Sequence, residues 1–487
     1  MRKWFLVLFL LAATAFLVWR REPPREFTTR SARAYALYQD ARRESYALNY
    51  VVADSLLRQA LALDPDFAAA HALRAALLRR TGRFEAAHAE SLQAAALLDR
   101  LSPLERDRIS LMLLTGARGR KAAVDSLVDR ILAVRPDDRL ALLVQAMELF
   151  GRHDPQAEPA LRRLIALDPD NAFPYNLLGY LEAQRGDYRQ AVDDLKTYAF
   201  LAPREPNPHD SLGEVLTWMG RYDEAEQELR EALRLRPDFL PSLLNLGDLY
   251  LDRGEARRGE RLLREVRRRA LADASYPSLT AEVDRTILGQ FYALELYQRA
   301  VAWTDTFLAG SDHPRDVYFR AVAAAVRGDS LSARSLLDGL LARLGDHGGR
   351  TATLMRVQLE AILAEIRGDV PAARAHWRRV LALLPHAPPH ETWSIRWRLG
   401  VLTLAAGDPA RAAALADTIL AVNPHRLQAL DLRARALLAR ADTAGARATL
   451  ARLAPLAERA DADLPLVRRY RRLRDALAPP AGGQGAP

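Results

Sequence analysis

The chain of 487 residues has no cysteine. That removes disulfides, thiolate metal sites, cysteine nucleophiles and a lipid-modified N-terminal cysteine together, and leaves the compartment open. Lysine is nearly absent too, with three among 70 basic residues. A net charge of +9 and a pI near 9.9 would ordinarily point to nucleic acid or an anionic membrane surface. Basic charge that is almost all arginine, interspersed with 61 carboxylates, reads instead as a compositional bias. Strand-favouring β-branched residues are thin. Alanine, leucine and arginine dominate, and apolar residues recur at three- and four-residue spacing, which argues for helices throughout. There is no HExxH, no phosphate-binding glycine loop and no GxSxG elbow. The sequence therefore predicts no catalytic residue, no metal, no cofactor and no small-molecule substrate.

A hydrophobic share of 49% with 27% charged residues is that of a folded protein, so wholesale disorder is excluded. The length exceeds what one compact core holds and calls for several domains or an array that grows by adding units. The one long uncharged run is Trp4–Trp19, between Arg2-Lys3 and Arg20-Arg21 with the Glu22-Pro23-Pro24 break. As a helix it covers roughly 24 Å, near the lower limit for spanning a bilayer. Tryptophans at both ends and flanking arginines suit the membrane interface. The expectation is a single-pass anchor over residues 1–21 and a linker over 22–32, as in a bacterial inner-membrane protein. The competing reading is a signal peptide cleaved at Ala13-Thr14-Ala15, which would leave an apolar stub. Basic residues lie on both sides of the run; the basic tip weighs towards repeats on the extracytoplasmic side.

Beyond the run the chain repeats itself. From Phe173 it reads Tyr175, Leu178-Gly179, Gly186-Asp187-Tyr188, Ala191 and Pro203. A shift of 34 gives Leu212-Gly213, Gly220, Tyr222, Ala225, Ala232 and Pro237, and a further 34 gives Leu246-Gly247, Tyr250 and Gly254. Glycine inside a helix costs about 1 kcal/mol relative to alanine, so Gly179, Gly213 and Gly247 need a packing reason. Close approach of two helices of one hairpin supplies it, with Ala191 and Ala225 as small partners. Gly186, Gly220 and Gly254 suit the left-handed residue that ends a helix, and Pro203 and Pro237 stop the second one.

This pattern resembles the tetratricopeptide repeat family. The flanks are weaker copies: Gly82 with Phe84 and Ala87, Pro65, Pro136 and Pro169 on one side; Leu288-Gly289, Gly328-Asp329, Gly368-Asp369, Leu399-Gly400 with Gly407, and Ala434 with Ala446 on the other. The expected fold is all-α, a right-handed α-solenoid of about eleven hairpins. It divides into a degenerate array over 33–171, well-matched units over 172–273, and a degenerate array over 282–477 ending in a capping helix near Leu464–Leu477. Spacing breaks at 270–282, 342–352 and 385–391, and the tail 478–487 should be disordered.

The resemblance implies that the first helix of each hairpin lines a concave groove for a protein or peptide partner. Its contact positions fall on Phe173, Asn176 and Tyr180, on Asp210, Glu214 and Trp218, and on Asp248 and Asp252. Carboxylates mixed with aromatics suit a segment with basic and apolar side chains and would repel an acidic C-terminal peptide. A scaffold is the leading expectation. The alternatives are an accessory subunit of a membrane-associated envelope or polysaccharide assembly enzyme, and binding of anionic lipid or nucleic acid by a stripe of Arg257, Arg261, Arg264 and Arg268, for which a solvated, partly neutralised face is the plainer account.

Overall fold

The structure, a computed structural model, describes residues 25–115, 119–272, 276, 278–345 and 349–477. These residues form 25 α-helices and one short 3-10 turn. They fall into two compact units, one running up to Asp168 and taking in residue 276, the other made of the remainder from Pro169 onward. The first unit holds four hairpins: α1 (Ala32–Tyr46) with α2 (Tyr50–Leu63), α3 (Ala68–Arg80) with α4 (Phe84–Leu97), α5 (Pro103–Leu114) with α6 (Lys121–Val134), and α7 (Arg139–Gly151) with α8 (Ala157–Leu167). The second begins with α9 (Phe173–Arg185) and α10 (Tyr188–Leu201), α11 (Pro206–Trp218) and α12 (Tyr222–Leu235), and α13 (Leu240–Asp252) and α14 (Ala256–Ala272). It continues through α15 (Leu279–Ala293), α16 (Tyr297–Phe307), α17 (Pro314–Val326), α18 (Ser330–Leu344), α19 (Gly349–Ile366) and α20 (Val370–Ala382). Then follow α21 (Pro389–Ala405), α22 (Pro409–Leu420), α23 (Leu427–Ala439), α24 (Thr443–Arg459) and the closing helix α25 (Pro465–Ala476). The described residues thus hold twelve hairpins and a terminal helix.

Eleven of the twelve hairpins, those whose connection is described throughout, turn on a left-handed residue. Glycine supplies it at Gly82, Gly186, Gly220, Gly254, Gly328, Gly368 and Gly407, with φ between 73° and 91°. In the hairpins whose sequences are poor copies the same conformation is held by Leu48 (φ 57°), His153 (55°), Glu295 (60°) and Ala441 (60°). The backbone keeps the turn where the sequence has lost its marker, at a cost of roughly 1 kcal/mol per Cβ. Ala441→Gly should therefore raise stability by about 1 kcal/mol, read as a higher urea midpoint at unchanged slope. In the later hairpins the aspartate after the turn caps the next helix: Asp329, Asp369 and Asp442 accept from the backbone N–H of Ser332, Ala372 and Gly445 at 3.0, 3.1 and 2.8 Å.

Packing within hairpins is as close as the in-helix glycines imply. A Cβ on Gly179, Gly213 or Gly247 would stand 2.7 Å from Leu195, Leu229 or Leu263. Gly289, at the corresponding place in a degenerate hairpin, faces open space. Successive first helices touch one another, as α9 with α11, α11 with α13 and α13 with α15 do, whereas successive second helices make no comparable contact. The array of the second unit therefore curves with its first helices inside.

In the first unit the extended stretch before α1 is tied down by carboxylates. Glu105 accepts from the Thr28 N–H at 2.6 Å and its hydroxyl at 2.7 Å; Asp64 accepts from the Thr29 hydroxyl at 2.6 Å and the Arg30 N–H at 2.8 Å. Phe27 is buried edge-on against Tyr38, 5.7 Å between ring centres. Arg108 and Asp138 form a buried ion pair nearby.

One expectation is corrected. Among the described residues no helix is long and apolar enough to cross a membrane. The single-pass membrane localisation, with its inner-membrane and extracytoplasmic placement, does not stand. The described helices are interrupted by charge on their outward faces and bury their apolar sides on neighbouring helices. Residues 4–19, on which the anchor was placed, lie outside the described residues, as does the tail 478–487.

Candidate functional site

In the second unit the chain returns to itself about 200 residues later. The turns of three central hairpins meet the segments leading into α21, α23 and α25. Pro389 lies 3.7 Å from the place of a Cβ on Gly186, Asn423 Oδ1 2.1 Å from one on Gly220, and Ala460 2.8 Å from one on Gly254. No side chain larger than hydrogen fits at Gly220, so the glycine required by the turn also admits the distant segment. Backbone and side-chain bonds follow the same register. Asn423 Nδ2 donates to the Tyr222 hydroxyl at 3.1 Å, and His425 Nδ1 lies 2.9 Å from the Gly220 carbonyl. The Asp461 N–H donates to the Gly254 carbonyl at 2.9 Å, and the Arg257 N–H to Asp461 Oδ2 at 2.8 Å. Arg469 closes the seam, bridging Glu295 at 2.6 Å and the buried Asp431 at 3.0 Å.

The inner face carries carboxylates from two successive first helices, α11 and α13. On α11, Glu214 Oε2 accepts from the Tyr180 hydroxyl of α9 at 2.6 Å. Asp210, one turn earlier, accepts from the Ser242 hydroxyl at 2.7 Å and from Asn245 Nδ2 at 3.1 Å, both on α13. Also on α13, Asp248 and Asp252 accept from Gln290 Nε2 of α15 at 2.8 and 2.7 Å. Burial disfavours the charged forms. It pushes Glu214 up to about 8, with the negative charge of Asp210 adding to the effect. Asp210 rises to about 6, and Asp248 to about 7 through burial and the neighbouring Asp252. Asp252 is different: it is ion-paired with Arg426, and each residue is 3% exposed. The Arg426 guanidinium lies 4.2 Å above the Trp393 ring. Beside this pair Trp218 stacks on His390, 3.8 Å between centres and 6° from parallel. Burial, with the Arg426 charge, pushes His390 down to about 4, so the imidazole is neutral at pH 7.

No group of three or more histidine, aspartate or glutamate side chains among the described residues is arranged to hold a metal. Residues 219–283, which include two of these turns and Asp248 and Asp252, match a family model described as tetratricopeptide repeat. This segment is a tetratricopeptide repeat. Tetratricopeptide arrays are typically non-catalytic scaffolds that mediate protein interactions, and helical hairpins continue on either side of the matched segment. No curated protein matches the chain. Solved structures similar to it include the APC/C hetero-tetramer Cut9-Hcn1, at 13% identity and a TM-score of 0.42, covering 90% of this chain and 84% of the other. A human IFIT1 dimer with PPP-AAAA, at 13% identity and a TM-score of 0.41, covers 89% and 96%. PilW, a type IV pilus biogenesis factor, at 15% and 0.32, covers 50% and 94%. At these identities the likeness is one of helical-repeat architecture alone.

The groove residues expected from the tetratricopeptide pattern lie on first helices, on the inside of the curve. Tyr180, Glu214 and Asp248 are equivalent positions 34 residues apart. The structure brings Tyr180, Asp210, Glu214, Asp248 and Asp252 into hydrogen-bonded sets, places Trp218 under His390, and leaves Phe173 and buried Asn176 nearer the start of α9. The arginine stripe is largely neutralised: Arg257 pairs with Asp463 at 2.7 Å, Arg264 with Glu260 at 2.7 Å and Arg268 with Glu265 at 2.6 Å, while Arg261 stands exposed. Sequence reasoning missed Arg426, His390, Asn423 and Gln290 as parts of this site. The one available signal was the spacing break at 385–391, where Pro388-Pro389-His390 leads into the seam.

Proposed function

We propose that the second unit is a protein-interaction scaffold whose inner face receives a peptide segment carrying a basic side chain among apolar ones. The observation that carries this is the set of Asp210, Glu214 and Asp248. Their hydrogen-bond partners are a tyrosine, a serine, an asparagine and a glutamine, and no cationic side chain bonds to them among the described residues. Asp210 is buried and Glu214 and Asp248 are half-buried, so ionising them with no cation bonded to them is costly for the empty protein. A guanidinium or ammonium from a partner would supply the missing charge, and Tyr180 and Trp218, 6.1 Å apart, offer ring surface to its stem.

The test is fluorescence anisotropy of the full-length protein with labelled decapeptides, one alternating arginine with leucine and one alternating glutamate with leucine. The arginine peptide should bind, and the variant with Asp210→Asn, Glu214→Gln and Asp248→Asn should bind it at least about tenfold more weakly, since a charge-assisted bond is worth roughly 1.5–3 kcal/mol. Equal affinity of native and variant proteins would remove the inner-face carboxylates from the binding site.

A further inference from the structure

At the seam the returning helices line a cavity of about 140 Å³ that none of the described residues fills. An engineered cavity of comparable size, roughly 150 Å³, holds a benzene ring. Its walls are of two kinds. Trp218, Trp393, Ile419 and Val422 provide flat and aliphatic surface. Arg396 and Arg426 provide the charge, and His390 adds none because it is neutral.

The two arginines are incompletely satisfied. Arg426 spends one nitrogen on Asp252, and its buried Nε has no hydrogen-bond partner although the residue is 3% exposed. Arg396 donates to the Thr392 hydroxyl and makes no ion pair with a carboxylate among the described residues. Burial without a countercharge pushes its pKa down. A guanidinium is always charged at neutral pH, so the buried Nε of Arg426 cannot be relieved by losing a proton and needs an acceptor.

We infer that this cavity is a binding site for a small planar anion, a carboxylate carried on a ring of about benzene size. The ring occupies the space between the tryptophans and the aliphatic wall, and the carboxylate accepts from Arg396 and from the open edge of Arg426. Both halves are required: the apolar walls repel a bare hydrated anion, and a neutral ring leaves the guanidiniums as they are. The site is assembled from residues some 200 positions apart, so no local motif announces it.

Titration calorimetry of the full-length protein with benzoate, benzamide and inorganic phosphate tests the inference. Benzoate should bind saturably at one site, with benzamide and phosphate each at least tenfold weaker. Arg396→Gln should weaken benzoate about tenfold or more. Val422→Trp, which keeps both arginines and fills the space, should abolish binding; it decides the matter if Arg396→Gln does not yield folded protein by circular dichroism. Benzamide binding as well as benzoate, phosphate binding as well as benzoate, no saturable benzoate binding, or Val422→Trp binding like the native chain would each overturn the assignment.

Discussion

Arg426→Ala is expected to cost about 3–5 kcal/mol, the usual consequence of leaving one member of a buried ion pair without the other. Asp252, 3% exposed in the native protein, would lose its countercharge and keep the Gln290 amide as a donor. The guanidinium also covers Trp393 at 4.2 Å, so the loss includes packing as well as charge. The cost should appear as a lower urea midpoint. It should also appear as faster amide exchange on both sides of the seam, around Gly220–Tyr222 and Asn423–Leu427, because those segments hold each other through the same contacts. Arg426→Met combined with Asp252→Leu should recover most of it, since an apolar pair of similar volume has no desolvation penalty to offset. A single-variant loss below about 1 kcal/mol would mean that the turn contacts, and not this pair, hold the seam.

Stability should fall as pH rises from about 4.5 to 8. Glu214, Asp248 and Asp210 have folded pKa values near 8, 7 and 6, all above their ordinary range. Across that window the folded protein retains protons that the unfolded chain has released, so raising pH favours unfolding. The loss begins above the unfolded pKa values and is complete once pH passes the folded ones. A tenfold difference in proton affinity between the folded and unfolded chains is worth about 1.4 kcal/mol, so a total of about 2 kcal/mol or more is expected between pH 5 and 8. Below pH 4.5 the trend reverses, because Asp64, Glu226 and Glu260 are held below their ordinary values by hydrogen bonds and neighbouring arginines that outweigh burial, and protonating them removes those contributions. The optimum should therefore lie near pH 5. Urea midpoints between pH 5 and 8 check this: the variant with Asp210→Asn, Glu214→Gln and Asp248→Asn should give a flat profile, and an equally steep one would place the titration elsewhere.

The repeat architecture was legible because its causes are local. Glycine at Gly186, Gly220 and Gly254 follows from a left-handed turn, and glycine at Gly179, Gly213 and Gly247 from a leucine across the hairpin, both of which recur every 34 residues. Where the turn is made by Leu48, His153, Glu295 or Ala441, the hairpin persists without its sequence marker, because packing against neighbours sustains a conformation that local preference opposes. The positions on the inner face were legible for the same reason: a fixed period places Tyr180, Glu214 and Asp248 on one side of successive helices.

The helices and the repeating hairpin plan could be read from the residues alone, since they depend on neighbours within one or two repeats. What the side chains meet could not be read that way. Whether Trp218 is open or stacked on His390, whether Asp252 is a free carboxylate or half of a buried pair, and whether Gly220 faces solvent or Asn423 all depend on a return of the chain some 200 residues later. That return is the sum of small rotations between hairpins, none of which is encoded at the positions it brings together.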